Sequence, residues 1–297
     1  MLAPELLAAM ASGCWAVGAL FSANASNSMG AFAFTRWRLF FAMCMLWMAA
    51  FYVGRWPELT LENIAWLSVS SWVGILVGDT ALFVCMNRLG PRRSGVLFAT
   101  HALFSALFAW LFLGETLWGK TLMSSGVLVS GVMVAIVWGR REEETHSWEN
   151  TQGSLLTGVL LGLLAAVCQS VATLMIKPMM TDGMDAIAAS AVRTSASFLA
   201  HAALWWAGAQ VAQVQQRLTL KTAFHIWASA TIAMGVGMTL ILQALKTGPA
   251  NMVGLFSSLS PVLLLPLLWG VYRRRPAAGA WFGAAMAVLG SALILRG

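Results

Sequence analysis

Asp79 stands in "WVGILVGDTALFV", 72–84, where Thr80 is its sole polar companion among apolar residues and glycine. A carboxylate in such a run is a packing accident, a structural ion pair or a working group. Ionisable side chains inside a membrane are costly and usually face the protein interior. A carboxylate held there could carry a proton. Asp79 lies nine residues before Arg88, so roughly 13 Å deep, and His101 lies eight residues after Arg93, so about 12 Å deep on the next helix. The spacing predicts that these two side chains meet or face one cavity. The alternative is an ion pair or hydroxyl contact of purely structural use.

Other polar residues fall inside apolar runs. Arg38 and Arg193 sit near the starts of two of them. They either anchor at the interface with their heads in water or bind an anionic group of a solute. Gln169, Gln243, Ser257 and Ser258 can bond between helices or contact a solute. Trp15 is a candidate wall for an aromatic or cationic solute, with packing as its other role. Pro261 would free a backbone carbonyl, as a hinge or as a tolerated kink. No catalytic residue emerges: GxxxxGK[ST], HExxH and GxSxG are missing, and His101, His146, His201 and His225 are scattered. An enzyme, a cofactor and a metal are not expected. The cysteines Cys14, Cys44, Cys85 and Cys168 read as small buried hydrophobes.

The elements that carry these residues are read from composition. Of 297 residues 59% are hydrophobic and 10% charged, against about 25% charged in soluble domains. That predicts a polytopic membrane protein. The net charge of +7 comes from basic residues set between apolar runs. They suit a lipid surface better than nucleic acid. Spanning helices need about 20 apolar residues. Ten such runs appear, at 2–22, 31–53, 63–86, 94–113, 119–138, 154–176, 185–208, 222–244, 251–271 and 278–295. Residues 23–28 read as a polar loop, "NAS" at 24–26 as a chance sequon, and Trp56, Trp118, Trp138 and Trp148 as an interfacial belt.

The runs repeat. "NRLGPRRSGVLF" (87–98) and "LKTGPANMVGLF" (245–256) align without gaps at an offset of 158. Arg38 aligns with Arg193, and Trp15 with Gln169. The expectation is an all-α integral membrane protein of ten transmembrane helices, arranged as two inverted five-helix repeats around a central cavity. The first repeat covers 1–138, a polar linker 139–153 and the second repeat 154–297. Basic residues on the two faces number ten and five, which favours both termini outside the cytoplasm.

"LFAWLFLGETLWGK" (107–120), "GDTALFVCMNRLGPRRSGVLF" (78–98) and "SSLSPVLLLPLLWG" (257–270) resemble the EamA-type branch of the drug/metabolite transporter superfamily. The resemblance covers essentially the whole chain. It implies ten helices, a central cavity, a structural role for Glu115 and transport of a small organic solute, with export favoured. It implies both termini inside, opposite to the charge count. Two positions depart from the family pattern: Ala102 replaces a proline of the fourth helix, and Arg273 a glutamate after the ninth. The function expected is a secondary transporter in the cell membrane, a monomer or homodimer, with proton coupling through Asp79. A lipid or headgroup translocator and a non-transporting scaffold are the alternatives.

Overall fold

The computed structural model describes residues 2–54, 56, 59–115, 119–138, 154–213, 218–272 and 277–296. The expected linker 139–153, Trp118, Trp148 and Arg273 lie outside the described residues. The first half holds α1 (Pro4–Met29), α2 (Ala31–Val53), α3 (Leu61–Ser71), a π-helical stretch (Trp72–Asp79), α4 (Thr80–Ala99), α5 (His101–Leu113) and α6 (Lys120–Val137). The second half holds α7 (Leu155–Thr181), α8 (Ala186–Trp206), a short 3-10 turn (Gln210–Ala212) and α9 (Leu220–Ser229). A second π-helical stretch (Ala230–Gly237), α10 (Met238–Thr247), α11 (Ala250–Ser257), α12 (Ser260–Tyr272) and α13 (Ala278–Arg296) complete it. No strand occurs among the described residues.

Among the described residues, seven helical runs are long and apolar enough to cross a membrane: Pro4–Ser22, Ala31–Val53, Leu61–Gly90, Arg93–Leu113, Leu155–Thr181, Leu220–Thr247 and Ala250–Leu267. Lipid cannot satisfy open backbone groups, so each run bonds its own main chain. Leu122–Val134 and Ala278–Gly290 are shorter apolar helices.

Local devices recur between the halves. Thr60 caps α3 by accepting from the Asn63 N–H, and Thr219 caps α9 by accepting from the Thr222 N–H. The two π stretches are eight residues each and begin 158 residues apart. α3, the first π stretch and α4 up to Gly90 form a first long rod (Leu61–Gly90), and Leu220–Thr247 forms the second. Gly90 breaks the first at φ 83°, a conformation that suits glycine, and the matching Gly248–Pro249 pair separates α10 from α11. The next break is written by hydroxyls. Thr100 donates to the Leu97 carbonyl before α5, and Ser258 donates to the Leu255 carbonyl before α12. Such back-bonding to the preceding turn bends a helix. The break at Thr100 therefore forms without a proline.

Packing exchanges partners between the halves. α1 lies on the second π stretch and α11, while α7 lies on the first π stretch and α5. α2 packs on α8, and α6 on α13. Gly131 and Gly290 let the last pair approach backbone to backbone. Residues 23–28, expected as a loop, are instead the last turns of α1. Two of their hydroxyls are satisfied within the fold: Ser26 donates to Asn87, and Ser28 to the Ala25 carbonyl. Cys85 and Cys168 are buried and Cys14 half-buried, whereas Cys44, contrary to expectation, is exposed on the face of α2 that it shares with the exposed Met48 and Phe51. Trp56 and Trp138 are exposed.

Candidate functional site

Asp79 ends the first π stretch, and its partner is Arg38 of α2. Arg38 Nη2 stands 3.5 Å from Asp79 Oδ2, with the side chains 7% and 16% exposed. The guanidinium lies 5.1 Å from the Phe83 ring centre and 6.0 Å from that of Phe34. Aromatic faces attract a cation, more so where water is excluded. The expected meeting of Asp79 with His101 is not what the fold builds. Similar depth does not make two helices neighbours, and α2 brings Arg38 to the carboxylate first. His101 is buried with its ring 5.0 Å from that of Phe98, and its Nε2 lacks a hydrogen-bond partner.

Arg193 of α8 is the second buried guanidinium, 4% exposed. Its direct side-chain contact is weak: Nη1 reaches the Met238 Sδ at 3.7 Å, and Nε has no partner. Gly74 makes room beside it, since a Cβ there would stand 3.3 Å from Nη2. Neither arginine has its head in water, so the interfacial-anchor reading fails for both. In this conformation a solute reaches them only after helices part.

α8 presents a stripe at four-residue spacing, Arg193, Ser197 and His201, to the first long rod. Ser71 donates to the Arg193 carbonyl and shares a 2.6 Å hydrogen bond with Ser197. His201 Nδ1 donates to the Ser197 carbonyl at 2.8 Å, so in the neutral ring Nε2 accepts from the Thr80 hydroxyl at 3.0 Å. Trp72 Nε1 donates to the Ala196 carbonyl. The stripe was visible as spacing, but His201, Ser197, Ser71 and Thr80 were not singled out from sequence. Arg36, also missed, is buried under Trp205 at 4.8 Å and donates to the Ala212 carbonyl.

The remaining candidates lie elsewhere. Trp15 Nε1 donates 3.1 Å to the Ala233 carbonyl inside the second π stretch, and its ring fills the space beside Gly237. Gln169 on α7 and Gln243 on α10 are half-buried. Ser257 and Ser258 donate to carbonyls of their own helix, and Ser12 donates to the Ser257 carbonyl. Pro261 stands in the first turn of α12, where its missing N–H costs little. The break lies before it, at 258–259. Glu115 receives the N–H groups of Ala250 and Asn251 at 2.6 and 2.9 Å, so a first-half carboxylate caps α11 of the second half. Lys177 closes the other side of that turn, donating to the Leu245 and Gly248 carbonyls.

A concavity of about 670 Å³ opens between α2 and α9, lined by Phe41, Leu220, Lys221, Ala223, Phe224 and Trp227. Apart from Lys221 its lining residues are apolar, and Asp79, Arg38 and Arg193 are not among them.

Comparison with known proteins bears on the whole arrangement. The model of the EamA-like transporter family matches residues 2–137 and again 156–296. A solved structure described only as "Crystal structure of protein" superposes with a TM-score of 0.77 at 17% identity, covering 98% of this chain and 95% of that one. At that identity the likeness is one of fold. No curated protein matches the chain.

Proposed function

The chain belongs to the EamA-like transporter family of the drug/metabolite transporter superfamily, and on that premise we propose that it is a secondary transporter of a small organic solute. It is a multi-pass membrane protein of two repeats. In this reading ten helices cross the membrane, the repeats are inverted, and the two alternate access to a site where α2, α8 and the first π stretch meet. The observation that carries the reading is the Asp79–Arg38 pair together with the buried Arg193, set where elements of both repeats cross. A scaffold gains little from charges there, because apolar residues of similar volume serve stability as well or better. Asp79 is the candidate coupling group, able to exchange Arg38 for a proton as the helices part. The family favours export.

Counterflow in proteoliposomes tests this. Wild-type protein accumulates a labelled solute against a counter-load, and an imposed proton gradient changes the rate. Asp79→Asn, at equal incorporation, lowers the rate at least tenfold. A variant with the wild-type rate and pH dependence removes Asp79 from the coupling. Failure to move any solute of a broad metabolite panel removes the transporter reading.

A further inference from the structure

The duplication sets up a comparison that Arg193 fails. Arg38 and Arg193 occupy equivalent places on α2 and α8, and residue 237 is the equivalent of residue 79 at the offset of 158. Arg38 reaches its carboxylate, Asp79. Arg193 reaches Met238, the neighbour of the equivalent position, and finds a thioether, because residue 237 is glycine. The room that a carboxylate side chain on residue 237 would need is taken by Trp15, whose ring lies 3.0 Å from where a Cβ would stand. The other described acids are Glu5, Glu62, Glu115, Asp182 and Asp185. All of them stand in a first turn or just beyond a helix end. Among the described residues Asp79 pairs with Arg38, and no carboxylate lies within ion-pair distance of Arg193, so the positive charge of Arg193 is left without a pair of its own.

We infer that Arg193 receives the anionic group of the substrate, and that the protein carries small organic monoanions, carboxylates foremost. This rests on the transporter reading and names the substrate class of the same site. An uncompensated buried charge is strongly unfavourable, so a bound monoanion stabilises the site by bringing its charge to zero. The guanidinium fork matches a carboxylate in geometry as well as charge. Arg193 has the free capacity, since Nε is unpartnered and Nη1 meets only sulfur. A cation would raise the buried charge, and a neutral solute would leave it unchanged.

Benzoate, benzamide and benzylamine share a ring and differ in charge. Binding of each to the purified protein is read by tryptophan fluorescence and by thermal melting. Benzoate binds and raises the melting midpoint, while benzamide and benzylamine bind at least tenfold more weakly. Arg193→Gln weakens benzoate at least tenfold, and Arg193→Lys retains part of the response. The double variant Trp15→Gln/Gly237→Asp, which gives the second π stretch the residues found at the first, supplies a built-in carboxylate and abolishes the benzoate response. Benzamide binding as well as benzoate, or benzoate binding untouched in Arg193→Gln, overturns the inference, and so does a wild-type protein that gives no response to benzoate. Counterflow of labelled benzoate separates the two levels. Benzoate that binds but does not move leaves the anion site standing and defeats the transporter reading. A neutral solute moved at a rate indifferent to Arg193→Gln does the reverse.

Discussion

α8 crosses the first long rod on polar ground, and α2 crosses the second on apolar ground. At the first crossing Ser71 meets Ser197, Thr80 meets His201, and Arg193 lies over Gly74. At the second, Ala42 holds the place of Ser197, Leu46 that of His201 and Met238 that of Thr80, and Leu39, Ala42, Ala230, Met234 and Met238 form one apolar cluster. The close helix approach is solved reciprocally. Gly74 admits Ala172 in one half, and Gly18 admits Ala233 in the other. The same architecture thus became a hydrogen-bonded, charged seam on one side and a plain bearing on the other. Divergence in a few side chains separated the roles while the backbone devices, caps and π stretches stayed alike.

The sharpest way to break this contrast is Asp79→Ala. It leaves two buried guanidinia without a carboxylate, so unfolding in detergent should show a loss of about 3–5 kcal/mol. The equivalent Gly237→Ala only crowds Trp15 and Cys14, and should cost about 1–3 kcal/mol in the same assay. A matched pair then sharpens it. Gly74→Ala and Gly18→Ala place a Cβ at the same 2.6 Å from an alanine Cβ, so each should lose about 1–3 kcal/mol. Only Gly74→Ala pushes on Arg193, and only it should weaken benzoate binding. His201→Leu copies the residue of the apolar crossing. It strands the Thr80 hydroxyl and should cost about 1–3 kcal/mol, whereas Leu46→Met on α2 should cost under about 1.5 kcal/mol. Trp72→Phe is the mildest change. It removes one hydrogen bond to the Ala196 carbonyl and should lower stability by about 0.5–1.5 kcal/mol.

Much of this was legible along the chain. Apolar run lengths located the helices, since a lipid-facing rod must be apolar over a membrane's thickness. The Gly-Pro turns at Gly90 and Gly248 and the Arg38–Arg193 alignment exposed the duplication. The π stretches were not legible, because an extra residue in a helical turn has no residue preference strong enough to mark it. The hydroxyls of Thr100 and Ser258 were a missed signal for helix breaks. Asp79 was recognised, but its partner was not: depth says how far down a side chain lies, while lateral packing of α2 decides what it meets. The spacing of Arg193, Ser197 and His201 could have been read as one helix face, yet only tertiary contact shows which rod that face covers.

Glu115 carries a consequence for how the protein is made. It leaves the ribosome 135 residues before Ala250, whose N–H it binds. The first repeat is therefore complete while this carboxylate still has no helix to cap. α11 gains its cap only by docking against an element synthesised much earlier. A second repeat expressed alone lacks that cap, and co-expression with the first restores it. The late helix is finished by an early residue, so joining the two halves belongs to the folding of the second half itself.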